Sequence, residues 1–346
     1  MDRLTVAVVG ASGYTGAELL RLLVDHPLVD LVHLSAHKNA GQRAGDLFPH
    51  LLGRINFVCR PFDADDVSRV AHVAFLALPH GESVPTATAL LDRGVSVFDL
   101  SADFRLRDAH TYEQWYGAHG APHLLERAVY GLPELHRKDL GGARLVAVPG
   151  CYPTATILAL APLLEAGLIR PEGIVVDAKS GTSGAGRTPG LATHFSEAGE
   201  GVRAYKVAEH RHTPEIEQEL SRIAGAPVVI AFTPHLLPMS RGILATCYAT
   251  PVDESLPRSA YLDALHARYQ GERFVQVVDR PPDTAFVRGS NRVHVSAWYD
   301  ARAKRVIVMS AIDNLVKGAA GQAVQAMNAV HGFAEMTGLD AIGMFP

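Results

Sequence analysis

The sequence predicts an α/β protein of two domains: a doubly wound sheet of parallel strands, then an α+β domain whose sheet is mixed and largely antiparallel. Three observations carry that expectation. Short apolar runs alternate with helical patterns through the first half, the plan of a parallel sheet. A glycine triplet, Gly10-Ala-Ser-Gly13-Tyr-Thr-Gly16, joins the first run to the first helical pattern. From Val228 onward, strand-like runs dominate. A chain of 346 residues is long enough for two ordinary domains.

Leu4–Val9 is apolar and β-branched, as befits a strand buried on both faces. It is too short for a signal-peptide core and leads straight into the glycine loop. Ala17 to Asp25 follows with helical spacing of Leu19, Leu20, Leu22 and Leu23. In this strand–loop–helix setting Gly10 permits a tight turn, Gly13 lets the backbone approach a pyrophosphate, and Gly16 allows close helix–strand packing. The helix start receives the phosphate charge. Gly10, Ser12, Gly13, Tyr14, Thr15 and Gly16 are thus candidates to hold a dinucleotide in a Rossmann-type domain; a merely structural turn is the alternative. Asp30 to Leu34 reads as the second strand. An acid at its end would bind a ribose 2′-hydroxyl. Ser35 and Lys38 stand there instead and suit a 2′-phosphate, so NADP(H) is the expected cofactor. Further parallel strands are expected at Val73–Leu78, Val95–Leu100 and Arg144–Val148, with a helix from Glu82 to Arg93. The loops Leu78-Pro79-His80-Gly81 and Leu100-Ser101-Ala102-Asp103-Phe104-Arg105 fall at carboxyl ends of strands, where such sheets bind ligands. Pro79 and Ser101 are cofactor candidates. Arg105 is a phosphate candidate, with a surface salt bridge as its alternative.

The run Leu145 to Val148 stops at Pro149-Gly150, and Cys151 follows at once. Ala155 to Ala166 reads as a helix, with Pro153 in its first turn. A cysteine just before a helix N-terminus is favoured as thiolate. A thiolate is a nucleophile, and the free N–H groups beside it can stabilise an oxyanion. The alternative, a buried structural cysteine, is the usual fate of a lone Cys. Gly173–Ala178, a strand, enters the glycine- and hydroxyl-rich loop 179–187, where Ser183 and Gly184 are cofactor candidates. In Tyr205–Ile216, Thr213 fits an N-cap, Pro214 the first helical position and Glu215 the first turn of a helix to about Ile223. His210 and His212 therefore sit on a loop just before a helix. No Cys or carboxylate stands at ligand spacing, so a general acid–base histidine is preferred to a metal site; either ring fits the role. Val228–Phe232, Arg241–Ala249, Val293–Tyr299 and Arg305–Ala311 read as strands, with a hairpin turn at Asp300–Lys304. Cys247 reads as core. Ile312–Gly318 opens a last helix from about Ala319 to Val330.

Net charge is −4, with 48% apolar and 20% charged residues. This is soluble globular composition and points to no nucleic-acid or membrane partner. Cys59, Cys151 and Cys247 are too few and too scattered for a disulfide framework or a zinc site, which fits a reducing, cytoplasmic setting. No apolar run approaches the roughly 20 residues of a spanning helix.

A dinucleotide domain, an activated cysteine and a histidine together imply one reaction class. The cysteine attacks an activated acyl group, and a nicotinamide exchanges hydride with the resulting thioester. In the order of the chain, GASGYTG (10–16), ALPHG (77–81), LSADFRL (100–106), VPGCYPT (148–154), SGTSGAGR (180–187), HRHTPEI (210–216), RGIL (241–244) and AIDNLVKGAAGQAVQ (311–325) resemble the N-acetyl-γ-glutamyl-phosphate reductases, a family of the aspartate-semialdehyde dehydrogenase superfamily. The resemblance implies NADPH-dependent reduction of the acyl phosphate to a semialdehyde and phosphate in arginine biosynthesis, through a Cys151 thioester. It implies that His210 or His212 handles the proton, that Tyr205 and Glu215 orient that histidine or the substrate, and that Arg105, Arg187 and Arg211 hold phosphate or the α-carboxylate. Asn314 would lie near the nicotinamide. The implied domains are 1–150 with 313–346 for cofactor, and 151–312 for catalysis and assembly into a homodimer or homotetramer. A lysine-biosynthesis relative acting on carrier-bound aminoadipyl phosphate typically reads GCNAT at the cysteine, where this chain has Tyr152-Pro153. A non-catalytic NADP-sensing regulator is the other alternative.

Overall fold

The computed structural model describes residues 3–346, apart from the side chain of Ala192. The chain divides into two compact units: one runs to Pro149 and adds Ala319–Asp340, the other comprises Gly150–Gly318 and Ala341–Pro346.

The first unit is built on β1 (Leu4–Val9), β2 (Val29–Ser35), β3 (Val73–Leu76), β4 (Ser96–Asp99), β5 (Val129–Tyr130) and β6 (Leu145–Ala147). They form one sheet in the order β2-β1-β3-β4-β6-β5, parallel throughout. Val73, Ala74, Phe75 and Leu76 are fully buried, as a central parallel strand requires. The strand order reverses between β1 and β3, which opens the crevice where doubly wound sheets take ligands. The helix Gly321–Val330 returns to this unit and packs on the helices Tyr14–Leu23 and Pro133–Leu140. Buried Asn328 ties it down. Its Nδ2 donates to the carbonyls of Glu335 and Thr337 at 3.0 and 2.9 Å, and its Oδ1 meets His26 Nε2 at 3.0 Å.

The second unit has β7 (Ile174–Gly181), β8 (Arg203–Ala204), β9 (Ile230–Leu237), β10 (Ile243–Ala249), β11 (Val275–Val277), β12 (Val293–Asp300) and β13 (Arg305–Ile312). The sheet order is β11-β12-β13-β10-β7-β9-β8. Only the β11–β12 and β7–β9 pairs are parallel, so the sheet is mixed and largely antiparallel, as the sequence predicts. One face carries Val176, Ala178, Phe232, Ala245, Cys247 and Val308, all buried. Helix Cys151–Glu165 covers this face at β10 and β13. Its apolar surface is buried all round because helix Thr213–Ala224 packs on its other side. Burial pushes the Cys247 thiol up to about 12, the behaviour of an inert core cysteine.

The expected domain limits differ at two stretches. Residues 313–318 group with the second unit, where Asn314 Oδ1 accepts the Gly242 N–H at 2.7 Å. Residues 341–346 do the same, and the Met344 N–H donates to the Arg288 carbonyl at 2.7 Å.

Candidate active site

The glycine loop lies between β1 and helix Tyr14–Leu23, at the crevice. Gly10 has φ +86°, and a Cβ there would meet the Ala77 carbonyl oxygen at 2.3 Å. A Cβ on Gly16 would meet the carbonyls of Ala11 and Gly10 at 2.6 Å. Gly13, the N-cap, is open: its nearest neighbour would stand 3.9 Å from a Cβ. No side chain caps this helix, so its first N–H groups remain available to a phosphate. The loop therefore fits a dinucleotide on its own geometry. A cavity of 690 Å³ in the same unit is lined by Val84, Pro85, Thr88, Tyr112 and His123 and takes in none of the loop's residues.

Three expected ligand contacts turn out to be braces. Ser35 is 1% exposed; its hydroxyl meets His33 Nε2 at 2.8 Å, and its carbonyl accepts the N–H groups of Gly10 and Ala11 at 2.9 Å. It holds the glycine turn, while Lys38 is exposed in the loop beyond. Ser101 is also buried. Its hydroxyl donates to Asp99 Oδ2 at 2.6 Å and accepts the Asp103 N–H at 3.0 Å. Arg105 is 6% exposed, with Nε on the Val148 carbonyl at 2.7 Å and Nη2 on the Leu100 carbonyl at 2.8 Å. It clamps the ends of β4 and β6. Pro79 is exposed in the loop after β3. Gly81 next to it donates its N–H to both oxygens of buried Asp103 at 2.9 Å.

In the second unit the sequence brings together Cys151, Tyr205, His210, His212 and Glu215. Cys151 is the first residue of its helix rather than the residue before it, because Gly150 takes the extended N-cap conformation at φ −68°, ψ 158°. Pro153 then falls at the third helical position, where its missing N–H would have no intrahelical acceptor. The thiol is half-buried. Glu215 is 1% exposed, and its Oε1 accepts the Gly150 N–H at 2.9 Å, so the carboxylate grips the turn that presents the cysteine. Thr213 is the first helical residue and His212 the N-cap, one place earlier than the Thr-Pro-Glu pattern predicts.

His210 packs between the rings of Tyr152, Tyr205 and Phe232, and its Nδ1 accepts the His212 N–H at 3.1 Å. Burial lowers its pKa to about 4, with the Lys206 charge acting in the same direction. The Tyr205 hydroxyl donates to that of Tyr152 at 3.2 Å, which donates to the His235 carbonyl at 3.1 Å. Burial pushes both phenols above their ordinary range. Lys206 and Ala208 adopt left-handed φ of 46° and 61°, so the histidine loop holds strained backbone, as functional loops often do. Gly318, in the π-helical turn Val316–Ala320, was not foreseen. A Cβ on it would stand 2.8 Å from Cys151 Cβ. No residue type in the sequence announces that contact.

Asn314 Nδ2 donates to Ser183 Oγ at 3.0 Å, and a Cβ on Gly184 would meet Ser180 Oγ at 2.9 Å. Asn314 thus orders the loop that carries Ser183 and Gly184. Arg187 and Arg211 are exposed. Among the described residues no group of His, Cys, Asp and Glu is placed to hold a metal ion, and no helix is long and apolar enough to cross a membrane.

The chain matches a semialdehyde dehydrogenase NAD-binding domain over residues 5–143 and a semialdehyde dehydrogenase dimerisation domain over residues 151–314. It is 50% identical to N-acetyl-gamma-glutamyl-phosphate reductase of Heliobacterium modesticaldum, over 98% of this chain and 99% of that one. It is 51% identical to the protein of the same name from Moorella thermoacetica, with 98% and 99% covered, and 52% identical to that of Desulforudis audaxviator, with 99% of each covered. Among solved structures it resembles aspartate semialdehyde dehydrogenase II of Vibrio cholerae (TM-score 0.73, 18% identity, 96% of this chain and 99% of that one). It also resembles the aspartate semialdehyde dehydrogenase of Candida albicans with NADP (TM-score 0.69, 15% identity, 95% and 99% covered). These two likenesses are of fold.

Proposed function

This chain belongs to the N-acetyl-γ-glutamyl-phosphate reductase family of semialdehyde dehydrogenases, and from that premise we propose that it reduces N-acetyl-γ-glutamyl phosphate to N-acetyl-L-glutamate 5-semialdehyde and phosphate, a step of arginine biosynthesis. The observation that carries the reading is Cys151 at the head of a helix whose preceding turn is gripped by buried Glu215. Attack by the Cys151 thiolate expels phosphate and leaves a thioester on the chain. NADPH supplies hydride when bound, with the glycine loop on its pyrophosphate and Lys38 on its 2′-phosphate. The helix N-terminus steadies the oxyanion. Glu215 acts as a positioning residue for the cysteine turn, and Tyr205 orients the histidine it packs against. Arg187 and Arg211 suit the α-carboxylate or phosphate, since arginine binds both through paired, charge-assisted hydrogen bonds. The unit ending at Pro149 takes the cofactor role, and the Gly150–Gly318 unit takes catalysis and self-association. A thiol nucleophile suits the reducing cytoplasm.

The test runs the reaction backwards. Semialdehyde, phosphate and NADP⁺ are supplied and NADPH appearance is followed, with Cys151→Ala alongside. Turnover that depends on phosphate and vanishes in the variant supports the reading. Folded, NADP-binding protein without turnover defeats it.

A further inference from the structure

Two histidines precede the helix Thr213–Ala224, and they are not equivalent. His210 lies among rings whose centroids stand 5.6 Å (Tyr152), 5.4 Å (Tyr205) and 5.3 Å (Phe232) away, with His212 at 4.8 Å. It is 9% exposed. The groups facing it are Tyr152 from the cysteine helix, Phe232 from β9, and Tyr205, Lys206 and His212 from its own loop. Its Nδ1 faces the His212 backbone N–H. An amide N–H can only donate, so Nδ1 must offer a lone pair, and the neutral ring then carries its proton on Nε2. To become an imidazolium the ring would place a second N–H against the first and bury a charge in an apolar shell.

We propose that His210 is a fixed, neutral Nε2–H donor to the acyl oxygen, not an acid–base group that cycles through an imidazolium. The proposal rests on the reductase reading and deepens it. The electron count asks no more of the ring. When the thiolate of Cys151 bonds to the acyl carbon, the carbonyl π pair moves to oxygen. Its return expels phosphate with the C–O bonding pair. Hydride addition to the thioester carbon moves a pair to oxygen again, and its return breaks the C–S bond, giving aldehyde and thiolate. Twice the oxygen gains a pair and gives it back, so it needs a hydrogen bond and no proton. The proton of the overall reaction is taken from solvent by the departing phosphate.

The experiment is ¹⁵N NMR of histidine-labelled full-length protein without ligands, with His210 assigned by comparison with His210→Gln. The expected spectrum shows neutral Nε2–H from about pH 8 to about pH 5.5; an Nδ1–H tautomer, or an imidazolium at about pH 6.5, overturns the proposal. Kinetics add a second readout. Glutamine keeps an N–H donor but is no base, so His210→Gln should stay within about 10-fold of wild-type kcat while His210→Ala loses about 100-fold or more. Equal collapse of both variants overturns the proposal. An inactive wild-type protein with the Nε2–H ring sinks the reductase reading and leaves the tautomer standing. An active one with an imidazolium sinks this inference alone.

Discussion

Gly318 occupies a place where no side chain fits. Its hypothetical Cβ would crowd Cys151 Cβ at 2.8 Å and Cα at 3.2 Å, so any substitution must push the first turn of the catalytic helix. Gly318→Ala should lower kcat by about 10- to 100-fold, since displacements well under an ångström at a nucleophile are felt this strongly. Its stability cost should be about 1–3 kcal/mol, the usual range for overpacking. Steady-state kinetics beside thermal melting separates the two effects, and wild-type kcat in the variant would show that the contact does not matter. Asp99 gives a second expectation. Fully buried, its carboxyl is pushed up to about 6 from 3.8, so acidification through that window binds a proton to the folded state and stabilises it. Buried His26, His33, His210, His294 and His331 act oppositely. Their pKa values are lowered from 6.5, so the stability they contribute is complete above that pH and is lost as pH falls through their folded-state values. Asp99→Asn should therefore show a steeper fall in Tm from about pH 6.5 to about pH 4.5 than wild type; an unchanged slope would mean Asp99 stays charged. Ser35, Ser101 and Arg105 show where sequence reading stops at this scale. Their types suit ligands, but their partners include Val148, 43 residues away from Arg105, and no local pattern reveals such a bond.

At the level of elements, β1, the helix Tyr14–Leu23 and the cysteine helix were legible because each is announced locally. Apolar runs, a glycine triplet and a Pro-Gly break mark them. Boundaries slipped where a cap is set by backbone conformation. Gly150 and His212 take N-cap positions that side-chain preference does not assign to them, and the helix Thr213–Ala224 consequently starts at Thr213 itself. The two-residue strands Val129–Tyr130 and Arg203–Ala204 have no periodicity to read; they exist because β6 and β9 offer them an edge. The last helix was anticipated, but the π-helical turn ahead of it was not. That helix is anchored through Asn328, whose amide meets three partners. Asn328→Ala strands buried polar groups and should destabilise by about 2–4 kcal/mol. Denaturant unfolding measures this, and a loss under about 0.5 kcal/mol would show that water replaces the amide.

Across the whole molecule, the open face of the second sheet is the surface that points outward to a partner. Register aligns Val175 with Tyr248, Tyr248 with Ile307, and Ile307 with Trp298, an apolar row across four strands on the face opposite the cysteine helix. Val175 is 40% exposed. A second copy of the chain would cover this row, in keeping with the dimerisation domain matched there. Val175→Glu with Tyr248→Glu should shift sedimentation toward a monomer; an unmoved oligomer would place the interface elsewhere. The division of the chain has a consequence for its synthesis. The cofactor unit is interrupted, its sheet made first and its closing helix Gly321–Val330 made last, whereas the Gly150–Gly318 stretch is continuous. On the ribosome the usual N-to-C order of domain completion is therefore inverted. The catalytic unit has nearly all its residues while the nucleotide-binding sheet still awaits Asn328, and that unfinished sheet is what a chaperone meets.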